Sequence, residues 1–196
     1  MTKRLLLLAL LVNGVYVSVF AQREIILQVS PYGFNYTDYE VNWDKNTFSS
    51  KFYGAWTLEY NQYVNDWWKV GGDFVIDYAR HEHRDNPAYY DGSHFYGSYS
   101  HMKTKQLFWG LGISNDFEFL RHPAFRLGSG ISLAYWSENY RTEFVEGDYP
   151  DHKYDIEGIG FHIKLLGFTW GRKHGLTGQM GMGYKGILSL GYFYRF

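Results

Sequence analysis

Apolar and polar positions alternate with period two along most of this chain. From Trp68 the even positions read Trp68, Val70, Gly72, Phe74, Ile76 and Tyr78, and the odd ones Lys69, Gly71, Asp73, Val75, Asp77 and Ala79. Successive side chains of a β-strand point to opposite faces, so this segment has one aromatic and aliphatic face and one face of charge and glycine. Phe52, Trp56, Leu58 and Tyr60 repeat the pattern against Thr57, Glu59 and Asn61. Further on, Leu107, Trp109, Leu111 and Ile113 alternate with Gln106, Phe108, Gly110, Gly112 and Ser114. Leu127, Ile131, Leu133 and Tyr135 alternate with Arg126, Gly128, Gly130 and Ser132, and Ile159, Phe161, Ile163 and Leu165 with Gly160, His162 and Lys164. Leu176, Met180, Met182 and Tyr184 share a face opposite Thr177, Gln179, Gly181 and Gly183. A last strand carries Leu188, Leu190, Tyr192, Tyr194 and Phe196 on one side. The first, about 24–37, changes phase at Pro31, where a kink is expected. Helical periodicity is almost absent, so the pattern predicts an all-β chain of eight antiparallel strands in an up-and-down meander.

The connections predicted between these strands alternate in length. Residues 38–50, 80–104 and 137–156 read as long polar loops, whereas 62–67, 115–123, 171–175 and the link near Lys185-Gly186 are short. Short turns at one end and long loops at the other are the layout of an outer-membrane barrel. A soluble barrel would bury its apolar face, and a membrane barrel would turn it outward. The second arrangement fits three features. The less apolar face is rich in Gly and Ser rather than Lys and Glu; aromatics gather near strand ends (Tyr60, Trp67, Trp68, Trp109, Trp136, Trp170); and the last alternating strand ends on Phe196.

The N-terminus adds a destination. Lys3 and Arg4 precede an apolar run at 5–12, and Val19-Phe20-Ala21 is a small-residue cleavage pattern, the parts of a secretory signal peptide over residues 1–21. The run is shorter than the roughly 20 residues that span a bilayer as a helix. The mature domain is then 22–196, with a net charge of −3. Aromatics at 21% and apolar residues at 45% exclude a disordered chain, and this charge excludes a general nucleic-acid binder. The absence of cysteine excludes disulfides, thiolate zinc sites and cysteine nucleophiles.

With its leader, its eight alternating strands and the terminal Leu190-Gly191-Tyr192-Phe193-Tyr194-Arg195-Phe196, the chain resembles the small eight-stranded outer-membrane β-barrels of the OmpA/OmpX-like superfamily. The resemblance implies an integral protein of a Gram-negative outer membrane, in contact with outer-membrane lipids and lipopolysaccharide. It also implies that Tyr192, Tyr194 and Phe196 form the signal read by the barrel-assembly machinery. It implies little about activity, because the superfamily includes enzymes, adhesins and structural proteins.

Candidate chemistry lies mostly on the inward face, where Glu59, Lys69, Asp73, Asp77, Arg126, His162, Lys164 and Arg195 are expected. An ion path is one reading. A paired structural network suits the balanced signs better, since eight strands enclose just enough room for their own side chains. His81 and His83, with Asp85, His94 and His101 nearby, are the weak metal candidates, at a spacing that matches no specific site. The loop 138–157 holds seven acids against Arg141 and Lys153 and reads as a solvated surface with some attraction for divalent cations. Gly181-Met182-Gly183-Tyr184-Lys185-Gly186 fits G-x-G-x-x-G only formally, because a strand and not a helix follows. The sequon at Asn35 is uninformative in a bacterial protein, and no histidine is followed by the serine of the His-x-Ser pair of lipid A deacylases. The expectation is an outer-membrane barrel with a structural or surface-interaction role, non-enzymatic and without cofactors or nucleic-acid partners. A lipid-modifying enzyme and a narrow, porin-like channel are the alternatives.

Overall fold

The computed structural model describes residues 22–31, 48–86, 89–90, 95–96, 99–145 and 151–196. Its strands are β1 (Arg23–Ser30), β2 (Phe48–Tyr63), β3 (Trp68–Asn86), β4 (Tyr89–Tyr90), β5 (Phe95–Tyr96), β6 (Tyr99–His122), β7 (Phe125–Phe144), β8 (His152–Gly171), β9 (His174–Gly183) and β10 (Leu188–Arg195). Eight of them close a barrel in the order β1-β2-β3-β6-β7-β8-β9-β10, each antiparallel to its neighbours. The short pair β4 and β5 forms a separate hairpin in the β3–β6 connection. Among the described residues there is no helix.

Closure depends on β1 meeting β10, with Ile25 opposite Tyr194 and Leu27 opposite Tyr192. Beyond the last ladder pair, Arg23 and Phe196 exchange backbone hydrogen bonds of 3.0 and 2.9 Å. No barrel edge is left at this seam.

The alternation resolves as expected for most strands. Leu58, Phe74, Leu111, Leu133, Phe161 and Leu190 are exposed on the outside, while Thr57, Glu59, Asp73, Ser132 and His162 are buried inside. The exterior is therefore apolar and the interior polar. A small apolar cluster of Ala55, Val75, Phe108, Ala134 and Tyr184 interrupts the polar interior.

Two aromatic residues face the other way from their expected side. Tyr184, grouped by parity with Met180 and Met182, is instead buried in the interior at 1% exposure. Gly183 adopts φ +129°, a conformation that breaks the alternation and turns the next side chain inward. Trp136, expected at an outer girdle, packs against the interior cluster, with its ring stacked 5.9 Å from Phe108. Gly158 and Gly160 of β8 leave the space it fills: a Cβ at either would come within 3.0 Å of the indole.

Three strand pairs are longer than expected. The stretch 80–104, read as a loop, is mostly ladder, since β3 runs to Asn86 and β6 starts at Tyr99. The stretch 137–156 likewise belongs largely to β7 and β8, with only 145–151 between them. The supposed turn 115–123 is ladder as far as His122, leaving Pro123 and Ala124 as the turn. Beyond the apolar zone both faces of these strands are polar, so period two disappears from the sequence while backbone pairing continues.

The barrel wall is uneven as a result. Strands β3, β6, β7 and β8 have 19, 24, 20 and 20 residues, against 8, 10 and 8 for β1, β9 and β10. Strand β1 stops at Ser30, as an imino acid at 31 cannot donate to the ladder. The expected continuation through Tyr32, Phe34 and Tyr36, like the leader at 1–21, lies outside the described residues.

Candidate functional site in the barrel interior

All eight interior residues expected from parity point inward, Arg195 among them at 2% exposure. Glu59, Lys69, Asp73, Asp77 and His162 are buried, and Lys164 and Arg126 are mostly so, with side chains 11% and 20% exposed. They meet partners that the sequence reading left in turns or unassigned.

The lower layer sits at the end where β1 starts and β10 finishes, with the turns at 64–67, 123–124 and 172–173. Here Glu24 of β1 accepts from Lys69 Nζ at 2.9 Å and from Arg195 Nη2 at 2.6 Å. Glu118 of β6 takes Arg126 Nη1 at 2.9 Å, and its other oxygen accepts the Tyr63 hydroxyl at 2.8 Å. Asp116 accepts from Lys164 Nζ at 2.7 Å. Lys69 also lies 3.5 Å from Glu118, which ties the groups into one cluster.

The middle layer is closed from the opposite end. The β9–β10 turn folds back so that Lys185 Nζ reaches Glu59 Oε1 at 2.8 Å and Asp73 Oδ2 at 3.0 Å, fully out of solvent. The Tyr184 hydroxyl donates to Asp73 Oδ1 at 2.8 Å. The His162 imidazole stands edge-on to the Tyr184 ring, 5.9 Å between centroids, and neither nitrogen has a hydrogen-bond partner among the described residues. Together the two layers set five cations (Lys69, Arg126, Lys164, Lys185, Arg195) against five carboxylates (Glu24, Glu59, Asp73, Asp116, Glu118).

Above them Asp77 is buried, and Gln106 donates through Nε2 to the Tyr140 hydroxyl at 2.8 Å and to Glu138. His81 belongs to this layer. Its Nε2 is 3.2 Å from Gln106 Oε1, so a weak metal candidate has a protein partner instead. The His83 side chain lies outside the described residues, and His101 pairs with Glu82 at 2.7 Å on the other face. Among the described residues no three metal-ligating side chains converge.

Room inside is scarce. A cavity of about 30 Å³ lies beside Asp116, Lys164, Thr169 and Gln179, with Ile26, Leu127 and Phe168 also in its wall, enough for about two waters. Ser132 is paired in register with His162, which puts a hydroxyl and an imidazole on adjacent strands. Both are buried on the interior face.

The residues missed by sequence reading had unequal signals. Asp116 and Glu118 share the parity of Gly112 and Ser114, so extending that strand would have found them. Glu24 alternates with Ile25 in the same way. Lys185 shares the parity of Thr177, Gln179 and Gly181, but it falls in the predicted link at Lys185-Gly186, where no face was assigned. At the C-terminal end Tyr192, Tyr194 and Phe196 lie outward, half-exposed, in the face the parity assigned.

No protein-family model matches the sequence, and no curated protein matches it. Among solved structures, the chain is similar to Ail, the attachment invasion locus protein of Yersinia pestis, solved with the heparin analogue sucrose octasulfate. The identity is 10% and the TM-score 0.47, covering 91% of this chain and 100% of that one. It is also similar to the N-terminal β-barrel domain of Pseudomonas aeruginosa OprF, at 11% identity and a TM-score of 0.39, covering 90% of this chain and all of that one. This chain is itself a closed antiparallel barrel of eight strands.

Proposed function

We propose that the chain is an integral outer-membrane barrel, sealed to solutes, with a structural or surface-interaction role and no catalytic centre. The observation that carries this reading is the combination of an apolar exterior with a charge-paired interior. On β6 the outward residues from Leu107 to Phe119 include Leu111, Ile113 and Phe117, all exposed. That stretch of strand, tilted by about 45°, covers ~28 Å, close to the apolar band of a membrane barrel. At its lower margin Trp67, Trp68 and Phe117 stack with centroids 6.0–6.5 Å apart, as an interfacial girdle would. An apolar surface of this extent drives aggregation in water and is satisfied in lipid.

The channel alternative has little support, since the buried charges of the interior are paired. The lipid-modifying alternative needs a nucleophile, a base and an acid on the lipid-facing side. The Ser132 and His162 pair lies on the other side of the wall. The test is to refold residues 22–196 into phospholipid vesicles and compare gel mobility with and without heating. A heat-sensitive, faster-migrating band that stays with the vesicles after alkaline washing is the expected result. Release of the protein by the wash would overturn the reading.

A further inference from the structure

The tall side of the barrel carries a line of cations that period-two reading does not disclose. Register places Lys51 of β2 opposite Arg80 of β3, Arg80 opposite Lys105 of β6, Lys105 opposite Arg141 of β7, and Arg141 opposite Lys153 of β8. Five basic positions thus stand side by side on five adjacent strands, with no acid in the line. At about 4.8 Å per strand the line is ~19 Å long. Arg80 and Lys105 are half-exposed and Arg141 and Lys153 exposed, on the same outer face as Ile76 and Leu107.

Like charges directly opposite each other repel, so such a line calls for counter-charge. Glu143 supplies some, 2.9 Å from Lys105 Nζ and 3.3 Å from Arg141 Nε. Two other acids of this face are engaged elsewhere: Glu82 by His101 at 2.7 Å and Asp155 by Asn139 at 2.8 Å. The line keeps an excess of positive charge.

Its slope indicates the partner. On β3 and β6 the line lies two residues beyond the apolar exterior, which ends at Tyr78 and Leu107. On β8 it lies six residues beyond Ile159. Along the strands it therefore starts ~7 Å from the apolar boundary and finishes ~20 Å from it. A glycerophospholipid presents phosphate at one depth only. A phosphorylated glycolipid presents phosphates on its acylated sugars and again on sugars farther out.

We infer that the line Arg80, Lys105, Arg141 and Lys153 is a docking surface for the phosphate groups of lipopolysaccharide. The inference rests on the membrane reading above. Arginine forks at Arg80 and Arg141 suit bidentate phosphate contacts, and the lysines add point charges.

The test titrates the folded chain, residues 22–196 in detergent micelles, with fluorescent lipopolysaccharide before and after enzymatic removal of its phosphates. Loss of the phosphates is expected to weaken binding at least tenfold. The combined variant Arg80→Gln, Lys105→Gln, Arg141→Gln and Lys153→Gln, with its heat-shifted band intact, should bind the phosphorylated form tenfold more weakly. A variant that exchanges Arg and Lys at the same four positions keeps the charge and should bind it more tightly than the glutamine variant does. Equal binding of both lipopolysaccharide forms by the parent overturns the inference whether or not any variant folds. Equally tight binding of phosphatidylglycerol overturns the choice of lipopolysaccharide. A parent chain that washes out of vesicles fails at the membrane reading, a result separable from the others.

Discussion

Lys185 shows how much depends on single residues in this interior. Its ammonium group is out of solvent and held by two carboxylates, Glu59 and Asp73, themselves 126 and 112 positions away in the chain. Removing one member of a buried ion pair leaves an uncompensated charge, at a cost of about 3–5 kcal/mol. Lys185→Met is therefore expected to lower the unfolding free energy of the refolded barrel in urea by that amount, and its midpoint with it. Adding Glu59→Gln to it should recover part of the loss, because the surplus negative charge falls. An unchanged midpoint for Lys185→Met would mean that water reaches the site. The Tyr184 hydroxyl makes a smaller contribution through its bond to Asp73, so Tyr184→Phe should cost about 1 kcal/mol in the same assay.

At the scale of elements, the β9–β10 turn and the two faces of β3 are the informative parts. Gly183 holds φ +129°, and a Cβ there would meet the Phe161 carbonyl oxygen at 2.1 Å. Gly183→Ala is thus expected to cost at least the ~1–3 kcal/mol of a strained backbone and to loosen the lock that Lys185 makes. On β3, Ile76 faces out and Asp77 in. Ile76→Arg should cost about 2–4 kcal/mol if that position is near the middle of the bilayer, while Asp77→Asn leaves insertion largely intact. Heat-shifted gel bands from vesicle-refolded variants measure both. The reverse ranking would mean that the faces are exchanged. Parity was a sound guide to these faces because one side must meet hydrocarbon and the other must not. It failed where that contrast ends: the upper halves of β3, β6, β7 and β8 are polar on both faces, and their ladders were read as loops. It failed again at Tyr184, where one positive φ turns the ring inward; at Trp136 parity held, and it was the girdle expectation that gave way to a glycine-lined recess inside the barrel. The basic line was invisible for a different reason. Its members lie on five strands, and only the register sets them abreast.

For the whole molecule, the wall is apolar outside and the interior is filled by ion pairs and a few side chains such as Phe108 and Trp136. Such a barrel should not conduct. Purified protein in planar bilayers is expected to give no reproducible single-channel steps, and stable steps would show that the packed interior opens. The central claim is that alternate residues of one strand face lipid and lumen. The chain has no cysteine, so single cysteines can be placed at will along 107–119 of β6 and spin-labelled in vesicles. Oxygen, which concentrates in hydrocarbon, should relax labels at positions 107, 111, 113 and 117 strongly, and labels at 108, 112, 114 and 116 weakly. If a water-soluble nickel chelate instead relaxes the odd positions, the apolar face is in water and the account is contradicted.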